Sequence, residues 1–370
     1  MSSLADAIRE KALAVGFDAV GFSPAVVSPR RAVFEAWIAG GLNAGMGWLA
    51  REPERRTNPE MVLPGVKTIV SVGLSYQVAD PPPEFWSDRL RGRVARYAWG
   101  RDYHDIMLPM LEELAAFIRR ECEICNLRFE TDESTRCYVD TGPLSEREIA
   151  ERAGLGFVGK NSLLISRGFG SFLLLGEILV AGEIDAGQAA RLPVQPDHTQ
   201  TGGLPHGGTC GSCRRCLDVC PTHAFPAPYV LDSRLCISYL TIENKGPIPA
   251  ELREKMGNWI FGCDECQSVC PWVKQYRKPG QQRFLKFDPE VCTPRLPELL
   301  ALDEAGFKAR FAGTPLLRPK RRGLLRNVCV ALGNSRSRGA LPALERALND
   351  PEPLVREHAE WAAGRIADGP

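Results

Sequence analysis

The chain has 370 residues, 44% of them hydrophobic and 25% charged, the balance of an ordinary globular protein with room for a full core and two or three domains. A formal net charge of +1 gives no global pull toward a polyanion, so any nucleic-acid surface must be local. The longest apolar run, 171–182, is too short to cross a membrane and is interrupted by Glu177.

From the amino terminus, "MSSLADAIREKALAVGF" alternates charged and apolar residues as an amphipathic helix does. It lacks the continuous apolar stretch of a signal peptide, so a cytoplasmic protein is expected. Residues 1–190 read as a mixed α/β domain, in which β-rich runs at Thr68–Tyr76 and Ser171–Val180 alternate with helical patterns at Met107–Cys125 and Ser145–Ala153. "DYHDIM", Asp102–Met107, comes close to the D-x-H-x-x-G by which one class of cobalamin proteins ligates cobalt. Met107 stands where the glycine belongs, so His104 is not assigned as a ligand. Asp140, in "VDTGPL", suits a turn-capping aspartate and a proton donor equally well. "GLGFVGKN", Gly154–Asn161, satisfies G-x-G-x-x-G and nearly the P-loop. Asn161 replaces the magnesium-binding Ser or Thr, and a helical pattern rather than a strand precedes the motif. A turn of small residues that lets another group approach the backbone is the better reading.

A Pro-, Gly- and Thr-rich connector at 183–209 marks a boundary, and a polar, Pro-containing one at 275–290 marks another. Between them lie eight of the chain's thirteen cysteines, a concentration that in a reducing compartment points to a metal or catalytic site rather than to disulfides. Cys210, Cys213, Cys216 and Cys220 form C-x2-C-x2-C-x3-C followed by Pro221, the spacing in which the fourth cysteine reaches a second iron–sulfur cluster. Cys263, Cys266 and Cys270, with Cys236 between the two runs, supply the remaining thiolates. The eight divide into Cys210, Cys213, Cys216 and Cys270 for one [4Fe–4S] cluster and Cys220, Cys236, Cys263 and Cys266 for the other. Zinc knuckles are the competing reading, but they have no use for the third cysteine of the C-x2-C-x2-C rhythm or for the Cys-Pro. Cys122 and Cys125, Cys137, Cys292 and Cys329 read as packing residues.

The last section, 286–370, is helical. "RRGLLRNVCVALGN" and "EPLVREHAEWAAGRI" share an Arg, small-apolar and Gly pattern, a weak repeat of HEAT type. Between Arg318 and Arg338 it holds seven Lys or Arg and no acid, which marks it as the candidate polyanion surface, with Arg321, Arg322 and Arg326 as its contacts.

Taken together, "YVDTGPLSEREIAERAGLGFVGKNSLL", "ARYAWGRDYHD" and the two cysteine runs resemble the epoxyqueuosine reductase family over essentially the whole chain. The resemblance implies an α/β cobalamin-binding domain, a bacterial-ferredoxin-like module at 191–285 and a HEAT-like, tRNA-binding tail. It implies two [4Fe–4S] clusters and a cobalamin with no protein ligand to cobalt, together reducing epoxyqueuosine to queuosine at the wobble position of tRNA in the last step of queuosine biosynthesis. Asp140 matches the family's proton donor. Arg56, Lys160, Asn161, Ser238 and Asp264 are the expected cobalamin contacts, and Asp140 also faces the cofactor. The implied partners are tRNA carrying epoxyqueuosine and an external electron donor of flavodoxin or ferredoxin type, with no membrane. A cobalamin reductase of a small molecule, like a reductive dehalogenase, and a non-catalytic two-cluster electron carrier are the alternatives. The basic tail and the large α/β domain count against them.

Overall fold

The computed structural model describes residues 3–124, 134–185, 209–275 and 288–368; most of both connectors, and Cys125, lie outside them. The amino-terminal helix α1 (Leu4–Val15) begins at a capping box, in which Ser3 and Asp6 satisfy each other's backbone N–H, and ends at Gly16 in the left-handed conformation. Four strands make the main sheet: β1 (Ala19–Pro24), β2 (Thr68–Ser75), β4 (Thr135–Tyr138) and β5 (Leu173–Val180), in the order β1-β2-β5-β4. Every pairing in it is antiparallel, so the domain is α+β rather than a doubly wound parallel sheet. The strand β3 (Arg93–Val94) pairs instead, in parallel, with β6 (Trp259–Phe261) of the cysteine-rich segment.

On one face of the sheet lies the long helix α2 (His104–Ile124), which buries Met107, Leu111, Leu114, Ala115, Ile118 and Cys122 at helical spacing against α1 and the strands. On the other lies the short helix α3 (Glu146–Arg152). The two faces are told apart at Gly21, where an added Cβ would stand 2.1 Å from the carbonyl oxygen of Ala153, just past α3.

The three segments expected from the sequence share a core. One cluster of buried side chains runs from Tyr76, Trp99 and Phe172 through Phe261 and Trp272 to Leu296, Leu324 and Ile366. After α4 (Ile237–Ile242), the tail opens with short helices between 289 and 310 and continues through α5 (Lys320–Ser335), α6 (Leu341–Ala347) and α7 (Pro353–Ala367), with α5 wedged between α7 and the cysteine-rich segment. The two glycines of the apparent repeat differ in use. A Cβ at Gly333 would come 2.7 Å from the Trp361 ring and 2.9 Å from Ala362 Cα, whereas one at Gly364 would meet nothing.

Candidate active site and cluster module

Asp140 follows β4 and leads into α3, and its backbone has φ of +55°, the left-handed region that a non-glycine residue occupies only when its surroundings hold it there. Three contacts do so. The Tyr103 hydroxyl donates to Asp140 Oδ2 at 2.7 Å, the Asp140 N–H donates to Glu146 Oε1 at 2.7 Å, and Arg56 Nη1 reaches the carbonyl of Gly142 at 3.5 Å. Arg56 is half-buried, which lowers its pKa against the opposing pull of Glu146 and Asp140. It braces the loop from below. Burial and the adjoining Asp140 raise the Tyr103 phenol, which therefore stays a donor. Asp140 itself is exposed.

From Asp140 an aromatic file leads toward the cysteines. Tyr103 meets Tyr97 edge-on at 6.0 Å, and Tyr97 meets Phe261 of β6 at 6.0 Å, two residues before Cys263. Next to Cys263, Asp264 is buried, with Oδ2 held by the Arg96 N–H at 2.8 Å and Oδ1 without a partner; burial pushes its pKa up to about 6. An unpaired buried acceptor beside the file fits the amide periphery of a corrin. Ser238, half-buried on α4 two residues from Cys236, fits the same edge. His104 Nδ1 bonds Asp102 at 2.7 Å, and Nε2 is buried without a partner. The residues present thus fit a corrin gripped at its rim.

The structure brings the cysteines together in two sets. Cys216 lies within electrostatic reach of Cys210, Cys213 and Cys270, and Cys266 within reach of Cys236 and Cys220, with Cys263 beside Cys266 and Cys236. Cys216 and Cys266 also sense each other, so the two sets adjoin. A cavity lined by Cys210, Cys213, Cys216 and Cys270 with Trp272 marks the first set. Burial raises the thiols of Cys263 and Cys266 well above their ordinary range, so iron must displace protons there.

Two of the expected cobalamin contacts belong to this module. Lys160 donates its backbone N–H to Cys210 Sγ at 3.4 Å and its ammonium to the carbonyls of Gly211 and Cys213 at 2.6 and 3.0 Å. Asn161, 3% exposed, reaches the Cys266 carbonyl at 3.5 Å. Both residues sit beside the clusters because the glycine turn folds back on the cysteines. Gly156 and Gly159 allow it to pass Ile165 at distances where a Cβ would stand 2.3 and 2.4 Å away.

The basic tail needs correction. Arg326 is fully buried, donating to the carbonyls of Asn244, Gly246 and Leu240 at 2.8, 2.5 and 2.6 Å and to Asn327 Oδ1. Arg321, 8% exposed, is paired through both terminal nitrogens with Asp350. Neither is available to a phosphate, because α5 is buried on nearly every side and its arginines satisfy loop carbonyls and a carboxylate. Arg322 remains exposed. Sequence reading missed Arg318 at the head of the same run. Burial would lower its pKa, but Glu243, bonded at 2.6 Å, and nearby Asp140 raise it, which puts this exposed guanidinium on the Asp140 face. It also missed Tyr103, Glu146 and Glu177, of which only Glu177 left a signal, a charge inside an apolar strand.

Comparison with known proteins places these features in context. The family described as "4Fe-4S double cluster binding domain" matches residues 209–273, and that described as "Epoxyqueuosine reductase QueG, DUF1730" matches residues 56–141. The epoxyqueuosine reductase of Xanthomonas campestris pv. campestris is 40% identical over 96% of this chain and 94% of its own length, and that of Escherichia coli K12 37% over 98% and 89%. Among solved structures, an epoxyqueuosine reductase with an epoxyqueuosine-modified tRNA-Tyr stem loop superposes with a TM-score of 0.80 at 34% identity, covering 98% of this chain and 90% of that one. Another, from Bacillus subtilis, with its catalytic aspartate loop swung out of the active site, gives 0.76 at 34% identity over the same shares.

Proposed function

The chain belongs to the epoxyqueuosine reductase family, and from that premise we propose that it carries out the last step of queuosine formation, reducing epoxyqueuosine at the wobble position of tRNA with cobalamin and two [4Fe–4S] clusters. It is an oxidoreductase with a two-cluster module. The observation that carries the finer reading is the Asp140 carboxylate, held in a left-handed turn at one end of an aromatic file whose other end is the cluster loop.

Removing the epoxide oxygen to leave an alkene consumes two electrons and two protons and releases water. Cobalamin, when bound, supplies reducing power at carbon, replenished by single electrons from the clusters. The chain supplies the rest. Asp140 gives a proton to the departing oxygen, and Tyr103 orients it by bonding Oδ2, which leaves Oδ1 for the substrate. Arg318 counters negative charge developing on that face. Arg56, Ser238 and Asp264 hold the rim of the corrin, and Lys160 and Asn161 steady the cluster turns that adjoin it. The flipped-out base enters beside Asp140. The RNA backbone lies across the exposed cations Arg318, Arg322 and Lys245, the last presented by the 244–246 loop that Arg326 pins from within. An acidic flavodoxin- or ferredoxin-type donor loads the clusters. The Asp140 loop moves between held and released positions, as the swung-out loop of the Bacillus subtilis relative suggests.

The test is nucleoside analysis of epoxyqueuosine-containing tRNA after anaerobic incubation with cobalamin and a strong reductant. Wild type should yield queuosine and Asp140→Asn should not, with corrinoid retained by both. Queuosine formed at the wild-type rate by Asp140→Asn would overturn the assignment of the proton donor.

A further inference from the structure

Glu177 sits in the middle of β5, fully buried, opposite Ser71 on β2 and Tyr138 on β4. It lies on the α3 face of the sheet, since Gly21, which pairs with Ser71, is the residue pressed against Ala153. Among the described residues neither Glu177 oxygen meets an N–H or a hydroxyl donor, and the polar group set against it is the carboxyl of Glu146, at the start of α3. Two carboxylates cannot bond each other without a proton between them, so this contact requires one. Glu146 already accepts the Asp140 N–H at 2.7 Å, which favours its ionised form, whereas Glu177 has nothing to offset the loss of solvent. The proton therefore belongs on Glu177.

We propose that neutral Glu177 donates a hydrogen bond to ionised Glu146, and that Glu146, gripping the Asp140 backbone N–H, latches the proton-donor loop in its left-handed turn. Both are positioning residues. The groups facing the pair are Asp140 and Arg56 from the loop side, Arg147 from α3, Tyr138 from β4 and the neutral Ser71 from β2. Burial raises both carboxyls, with Asp140 adding to the rise and Glu177 raised the further, so the pair keeps one proton at neutral pH. In alkali the pair becomes two touching carboxylates, which repel, and the latch opens. This inference rests on Asp140 as proton donor only for its catalytic consequence.

The experiment is amide hydrogen exchange of segment 139–142, corrected for intrinsic rates, at about pH 6.5 and about pH 10. Wild type should exchange about ten-fold faster at the higher pH after correction, Glu177→Gln should stay slow at both because its amide still donates, and Glu146→Ala should be fast at both. Asp140→Asn keeps the backbone N–H, so it should stay protected at the lower pH even while it abolishes turnover. Failure of the latch and failure of the proton-donor assignment are therefore separately visible. Wild-type protection that does not change with pH, or Glu146→Ala as slow as wild type, overturns the latch. If Glu146→Ala does not fold, Glu177→Gln against wild type across pH decides alone, and a Glu177→Gln profile that follows wild type overturns it.

Discussion

Seven of the eight cluster cysteines come from two short turns, 210–220 and 263–270, whereas the Asp140 loop takes its supports from Arg56, Tyr103, Glu146 and Glu177, each on a different part of the chain. The cluster module is local in sequence and the loop site is not. The difference has a physical origin. Thiolates two or three residues apart on a turn can reach the corners of one cube whatever surrounds them. A strained aspartate keeps its backbone angle only while contacts from elsewhere hold it there. The module should therefore fail cysteine by cysteine, with discrete losses of iron, and the loop should fail by release, with the clusters intact.

Asp140→Asn should break the pairing of the two regions most sharply, lowering queuosine formation by about 10²–10⁴-fold while iron content stays at the wild-type level; single-turnover product analysis beside an iron assay measures both. Cys266→Ala should do the reverse, removing about four irons per chain and leaving the exchange protection of 139–142 unchanged. A third case asks whether the tail is scaffold or surface. Arg326→Ala strips partners from buried carbonyls at Leu240, Asn244 and Gly246 and should cost about 2–4 kcal/mol in denaturant unfolding. Arg322→Ala should leave stability within about 0.5 kcal/mol and lower the salt dependence of tRNA binding by about one unit of slope. The smallest effect concerns pH. Burial lifts the folded pKa of Glu177 well above the ordinary 4.5, so the stability its proton contributes is full below that value and is lost as pH rises toward the folded pKa in alkali. Glu177→Gln should flatten this limb of a Tm–pH curve by about 2–4 °C.

Legibility followed the same division. The strand β2, the helix α3 and the assignment of Glu177 to an apolar strand could all be read from periodicity, because one buried face leaves its mark on consecutive residues. The basic run was misread for a reason that recurs in arginine-rich helices. A guanidinium with five donors can cap several loop carbonyls from inside, and nothing in a charge count separates that use from a solvent-facing one. The part Lys160 plays in the module was not legible either, because a lysine next to a glycine turn looks the same whether or not it also holds the Gly211 and Cys213 carbonyls.

By itself, the sequence determined the cysteine spacing, the antiphase of apolar and polar residues in strands and helices, and an aspartate followed by Thr, Gly and Pro at a turn. Only the tertiary structure decided that β2 is flanked by β5, which carries Glu177, rather than by a strand nearer in the chain, that Glu177 meets Glu146 under the Asp140 loop, and that Arg326 points inward while Arg318 faces Asp140. Spacing along the chain is covalent and survives in any conformation. Which buried charge meets which partner depends on the stacking of elements far apart in sequence, and there the cost of leaving a polar group unpaired selects the arrangement.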